Sequence, residues 1–392
     1  MIDVRAHLAR KPLLFDGGMG TYYKAKPGTE CEQGNLLDPA GVRKVHREYL
    51  AAGAEAIKTN TFGLPRMAAA RQPDWQALAR AGWKLAAEAA VETGAAVFAD
   101  LGPAPDTEAA PAGSIYTAVA RCFVEQGAKN FLFETLSSDA GVLEAVQAVK
   151  AQVPDAFVLV SFAVLPDGYT REGMYSKDLV RRMTESGIVD AVGFNCVSAP
   201  GAMRTLVQQL GSTALPLSVM PNAGYPVVTR TQVKYQGKPE YFAKELARIA
   251  AEGVRILGGC CGTTPAHIAA LRAALDSLPA VEKAAPAVQV STPEAPTVEK
   301  DDAFLRKLNA GKKVIAIELD SPKDADLTNY LAGAKRLQAA GADLLTIADC
   351  PIARARMDSS LVACRVHREL GLCTLPHMTC RDRNLNATKA LL

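Results

Sequence analysis

The chain has 392 residues, 49% of them hydrophobic and 22% charged, with a formal net charge of +3. That length allows one barrel-sized domain and part of another, and the charge is spread too evenly to mark a nucleic-acid or membrane surface. No run approaches the roughly 20 apolar residues of a membrane helix. The start, MIDVRAHLARKPLLF, is broken by Asp3, Arg5 and Arg10, unlike a signal peptide. A cytoplasmic protein is expected, in which the nine cysteines stay reduced and free for metal or catalysis.

From the N-terminus, short apolar or β-branched runs alternate with longer Ala-rich amphipathic stretches. The runs 12–15, 56–61, 96–101, 130–134, 157–162, 191–195, 217–220 and 254–257 read as strands. Helices are expected near 41–52, 74–93, 113–127, 138–150, 176–186, 200–210, 238–252 and 265–277. Apolar residues recur there at three- and four-residue spacing, as at Val142, Ala145, Val146 and Val149. Ser137 and Asp139 offer a start for the helix at 138, and Pro265 for the last. Strand and helix alternating in this way predict an α/β fold, a closed (β/α)8 TIM barrel over residues 1–278. A doubly wound open sheet is the other arrangement the pattern admits. In a barrel the chemistry gathers where strands end. Those positions hold Asp16, Thr59, Asn60, Asp100, Glu134, Cys196, Asn222, Cys260 and Cys261.

Cys196 in GFNC and the adjacent Cys260 and Cys261 in GGCCGTT each follow an apolar run and a glycine. Three thiolates with one open position make the donor set of a catalytic zinc site. Adjacent cysteines also occur as buried apolar thiols or as a redox pair. The convergence of all three on one rim favours metal, with Cys196, Cys260 and Cys261 as ligands and as the catalytic centre.

Residues 279–300, PAVEKAAPAVQVSTPEAPTVEK, are rich in Pro and Ala, lack apolar periodicity and read as a linker. Beyond it come a helix near 302–310, a strand at 313–319, a helix at 326–340, a strand at 343–348, a helix at 358–370, a strand at 373–376 and a further start at Asn384. Such a half-sheet cannot close, so it either packs against something else or is part of a longer protein; residues 301–392 are expected to be the truncated first part of a second barrel.

Six motifs in order, DGGMGT at 16–21, TNTFG at 59–63, FET at 133–135, GFNC at 193–196, PNAG at 221–224 and GGCCGTTPAHI at 258–268, resemble the zinc-dependent homocysteine S-methyltransferases. Glu318 in IEL, TIADCP at 346–351 and LPHMTCRDRN at 375–384 resemble the start of methylenetetrahydrofolate reductase, a flavin-dependent barrel. The two halves in this order resemble bifunctional proteins that join both.

The first resemblance implies a methyltransferase in which Zn2+ on the three cysteines ionises the thiol of L-homocysteine for attack on a methyl donor, giving methionine. It assigns the substrate ammonium to Asp16 and Glu134, its carboxylate to the amides of Gly17 and Gly18, and the zinc's fourth position to Asn222 until substrate arrives. From the residues alone, Asp16 can equally cap a turn, Glu134 pair with a lysine, and Asn222 sit in a Pro-Asn-Ala-Gly turn. His267, inside the last helix, reads as a packed or surface residue. The methyl donor is left open among methyltetrahydrofolate, S-methylmethionine and betaine, the first calling for a corrinoid protein partner or an unusual direct route. The second resemblance assigns Glu318, His377, Arg381 and Asp382 to a flavin site. FAD is expected only in a full-length form, and no reductase activity from this chain. A non-catalytic zinc-binding or thiol-buffering barrel is the competing function.

Overall fold

Every apolar run marked above becomes a strand in the computed structural model, which describes residues 2–277 and 303–391 apart from 27, 229–232, 236, 352, 353, 381–386, 389 and 390. The expected linker, 279–300, and the start at Asn384 lie outside the described residues. The chain divides into two compact units, Met1–Val290 and Ser291–Leu392.

In the first unit the strands are β1 (Leu13–Leu14), β2 (Ala56–Lys58), β3 (Ala96–Leu101), β4 (Asn130–Leu136), β5 (Phe157–Phe162), β6 (Ala191–Asn195) and β7 (Leu217–Met220). After a hairpin of β8 (Pro226–Val228) and β9 (Val233–Tyr235) comes β10 (Ile256–Leu257). The barrel sheet runs β1-β10-β7-β6-β5-β4-β3-β2. Its pairings are all parallel, and a parallel bridge from Phe15 to Ala56 joins the two edges. The barrel is therefore closed, and the open sheet is excluded.

Alternate residues of a strand face opposite ways, and this parity builds the interior. Leu13, Phe15, Ala56, Phe98, Leu132, Leu159 and Met220 form one buried cluster inside the barrel, with the Phe15 and Phe98 rings 4.6 Å apart. Their neighbours Leu14, Ile57, Val97, Phe131 and Val158 face the other way and pack with the helices. The helix Pro239–Ala251 contributes Phe242, Ala243, Leu246 and Ile249, spaced to fall on one face. Two residues past the apolar floor, the same parity turns Lys58, Asp100, Glu134 and Ser161 inward, all buried. A polar layer thus caps an apolar plug.

The helix expected from 138 begins at Val142, after Gly141 at φ +71°. Asp139 does not cap it because its carboxylate is turned to Arg182, 3.1 Å away. The last helix, Pro265–Asp276, starts from a capping box of Thr264 and His267. Short elements not read from sequence fill the β1–β2 connection: helix Met19–Tyr23, a 3-10 turn Cys31–Gln33 and helix Gly34–Leu37. The β8–β9 hairpin was likewise unread. Among the described residues no helix is long and apolar enough to cross a membrane.

The second unit holds a parallel sheet of β11 (Ala316–Glu318), β12 (Leu344–Ile347) and β13 (Cys373–Pro376), in that order. Its helices are Ala303–Asn309, Thr328–Ala339 and Ser359–Leu370. Leu345, Ile347, Val362 and Val366 form its core.

Candidate active site and metal centre

The three cysteines converge because their backbones are tied to the end of one strand. The Cys196 N–H donates to the Met220 carbonyl at 3.1 Å, and the Cys260 N–H to the Pro221 carbonyl at 2.9 Å. Cys196 takes a left-handed φ of +60° as the chain leaves β6. Its Sγ then lies 3.9 Å from that of Cys261, and all three sulfurs fall within 4.8 Å of one another. Tetrahedral zinc with Zn–S bonds of about 2.3 Å would space its sulfurs by about 3.8 Å. The donor set therefore fits such an ion in both chemistry and span.

The thiols also share their protons unequally. Hydrogen bonds from Cys196 and Cys260 pull Cys261 down to about 3. Hydrogen bonds with Cys260 and Cys261, together with burial, push Cys196 far up. Cys260 is lowered by its bond with Cys196, but raised by that with Cys261 and by burial, and stands at about 11. Their closeness thus favours negative charge on Cys261 over the other two.

Beside the thiols lies an ion cluster with Lys58 at its middle. Its Nζ is 3.9 Å from Asp16 Oδ1 and 3.7 Å from Glu134 Oε2, and donates to the Gly259 carbonyl at 3.4 Å. Asp16 Oδ2 accepts the Lys58 backbone N–H at 3.0 Å. Burial raises Asp16 to about 7 against the opposing pull of Lys58, and does the same to Glu134, also to about 7. Asp100, with no counter-charge strong enough to offset its burial and the nearby Glu134, is raised well above the usual range. For Lys58 burial disfavours the ammonium, but Glu134 and Asp16 outweigh it and the net shift is upward. The lysine is held charged.

Asn195 fixes Glu134 in place. Its amide nitrogen donates to Glu134 Oε2 at 3.3 Å and to Thr135 Oγ1 at 2.7 Å. Its Oδ1 accepts from the Thr135 N–H at 2.9 Å and the Ser161 hydroxyl at 2.8 Å. Both ends of the side chain are thereby used.

A cavity of about 200 Å3 opens over these groups, lined by Gly18, Lys58, Asp100, Glu134 and the three cysteines among others. Asp16, Gly17 and Asn222 are not among its lining residues. Asp16 faces Lys58 instead. The Gly18 N–H is given to Thr263 Oγ1 at 2.9 Å, so it is engaged within the protein. Both glycines are required by close approach. A Cβ at Gly17 would lie 2.6 Å from Thr263 Oγ1, and one at Gly18 2.6 Å from the Cys260 carbonyl. Asn222 is buried, and its Oδ1 has no hydrogen-bond partner among the described residues. His267 is packed, its ring edge-on to Phe242 and 3.1 Å from the Gly237 carbonyl.

In the second unit Glu318 and His377 are exposed, at the ends of β11 and β13, while Arg381 and Asp382 lie outside the described residues. Lys58 is the site residue that sequence reading passed over in favour of Thr59 and Asn60. The signal was parity: two positions after Ala56, a lysine ending an apolar strand must point into the barrel and needs carboxylates there.

The fold and the site define a (β/α)8 barrel with a three-thiol metal-type centre at its C-terminal rim. The family model "Homocysteine S-methyltransferase" matches residues 13–275, and "Methylenetetrahydrofolate reductase" matches 303–392. A methionine synthase of Mycobacterium tuberculosis is 32% identical over 312 residues, 72% of this chain and 26% of that protein. A homocysteine S-methyltransferase of Escherichia coli is 29% identical over 67% of this chain and 94% of that protein. The crystal structure of the metallated E. coli homocysteine methyltransferase MmuM superposes with a TM-score of 0.56 at 25% identity, covering 69% of this chain and 99% of that one. The chain belongs to the homocysteine S-methyltransferase family. It spans about a quarter of the length of the methionine synthases it matches.

Proposed function

We propose that this chain transfers a methyl group to the sulfur of L-homocysteine, forming methionine, with Zn2+ held by Cys196, Cys260 and Cys261. The observation that carries this reading is the cluster of three sulfurs within 4.8 Å at the wall of a cavity whose other side is acidic. Bound there, Zn2+ would supply the Lewis acidity that ionises a substrate thiol near neutral pH. The protein's own part is to bind and orient. Glu134, steadied by Asn195, accepts hydrogen bonds from the substrate's ammonium, and the thiol end of the same molecule is thereby directed at the cysteines. The buried Asn222 oxygen is the chain's candidate for a light ligand that gives way to substrate sulfur. The metallated state of the E. coli homologue supports a metal in this family's site.

Residues 1–278 are assigned to this activity, 279–300 to a linker and 301–392 to a reductase-like segment. The likeness of 303–392 to methylenetetrahydrofolate reductase favours a folate-derived methyl group, delivered through a corrinoid partner, over S-methylmethionine or betaine. Incubating the zinc-loaded chain with L-homocysteine and each of the three donors, with and without a methylcorrinoid protein, and measuring methionine tests both points. Methionine from none of them, with an unchanged zinc-edge X-ray absorption spectrum at saturating homocysteine, would return the site to a closed zinc-holding or thiol-buffering role.

A further inference from the structure

The acidic pocket contains more carboxylates than its own cation satisfies. Asp16, Asp100 and Glu134 are each at most 5% exposed, and so is Lys58, the cation paired with Asp16 and Glu134. Lys58 takes up Asp16 from two sides, through its backbone N–H and its ammonium. It also reaches Glu134, so the space between these two carboxylates already holds a positive charge. Asp100 is 3% exposed and lines the cavity, and its Oδ1 has no hydrogen-bond partner among the described residues. Asp16 Oδ1 also lacks a hydrogen bond, but it has the Lys58 ammonium 3.9 Å away, whereas the Asp100 side chain has neither a hydrogen bond nor an ion pair among the described residues. Its backbone is fixed on both sides, the N–H donating to Thr59 Oγ1 at 3.0 Å and the carbonyl accepting from Thr61 Oγ1 at 2.8 Å. These bonds fix the strand that carries the side chain, whose carboxylate lies at the cavity wall. A buried carboxylate left so is costly unless a cation or donor meets it.

We propose that Asp100, together with Glu134, receives the α-ammonium of the substrate, Lys58 having taken the place beside Asp16, and that Asp100 thereby selects α-amino thiols over thiols that lack the amino group. The assignment rests on the reading of the cavity as the homocysteine site. It makes Lys58 an internal counter-ion to Asp16 and leaves the acidic excess on the cavity side, where a ligand's ammonium can balance it. A thiol bearing a carboxylate but no ammonium, such as 4-mercaptobutyrate, would bring a second anion to that side and leave Asp100 unmatched.

The test is calorimetric titration of the zinc-loaded full chain with L-homocysteine and with 4-mercaptobutyrate, for the wild type, Asp100→Asn and Asp100→Ser. The wild type should prefer homocysteine. Both variants should lose about ten- to hundred-fold in homocysteine affinity, the range of a charge-assisted hydrogen bond, and hold 4-mercaptobutyrate as tightly as the wild type or more so. The preference then collapses from one side only. Unchanged homocysteine affinity, or equal weakening of both thiols, would overturn the assignment. Loss of zinc or of folded structure in both variants would make Asp100 a structural group and overturn it too. A wild type that binds neither thiol would instead sink the reading of the cavity itself, and this assignment with it.

Discussion

Lys58→Met keeps most of the lysine's volume while deleting its ammonium. The wild-type side chain is 5% exposed and is the ion-pair partner of both Asp16 and Glu134, so the variant leaves buried carboxylates without that cation. Removing one partner of a buried pair costs about 3–5 kcal/mol. The variant can lessen this by holding protons. Burial already lifts Asp16 and Glu134 to about 7 with Lys58 as the strongest opposing influence, and without it both must rise further. In the unfolded chain the same groups titrate near 4. Between the unfolded and folded values the folded state carries protons that the unfolded state lacks. Stability therefore falls as pH rises, by about 1.4 kcal/mol per pH unit for each such proton. For Asp16 and Glu134 the wild type loses this slope as pH passes about 7, whereas in Lys58→Met the same two groups should still be costing stability at about pH 8. Urea unfolding of both proteins at about pH 5.5, 7 and 8.5 measures it. The deficit should widen between the upper two values. A deficit below about 1 kcal/mol, or one independent of pH, would refute the view that Lys58 neutralises this cluster.

Cys261→Ala should bring bound zinc from about one per chain to a small fraction, because two thiols and an amide make a poor site; full metal content by atomic absorption would remove Cys261 from the ligand set. Asn195→Ala deletes the amide shared by Glu134, Thr135 and Ser161. It should cost about 1–3 kcal/mol of stability and raise the KM for homocysteine while leaving zinc in place, and an unchanged KM would deny Asn195 its positioning role. Gly18→Ala puts a Cβ 2.6 Å from the Cys260 carbonyl, which must shift the loop bearing two of the thiols. Chelator competition should strip its zinc faster than the wild type's, and equal rates would show that the loop absorbs the methyl group.

The barrel was legible because its strands are short apolar runs with helical stretches between them, and β5, β6 and β7 begin and end at the expected residues. The rim was legible for the same reason: Cys196 and Cys260 stand just past strand ends, and Glu134 two residues before the end of β4. What escaped was parity at the rim. Asp16 follows β1 and was expected to face the substrate, but its carboxylate is spent on Lys58, a residue hidden in an otherwise apolar strand end. Gly18 was expected to offer its amide, yet Thr263, 245 positions away, accepts it. Such pairings depend on which side chains meet across the barrel, and linear spacing carries no record of that. The β8–β9 hairpin went unread because three-residue strands are too short for alternation to stand out.

Cys196 turns its backbone to φ +60°, and Val197 follows at +31°, a region that glycine enters freely and other residues reach at roughly 1–2 kcal/mol each. Glycine would be the more comfortable occupant of position 196, and glycine cannot hold a metal. Heat-challenge selection carried out without zinc would therefore reward the loss of this thiol, enriching sturdier barrels that have shed their centre. Selection that keeps the metal present, or that scores its retention, is what would preserve a cysteine the polypeptide itself does not prefer.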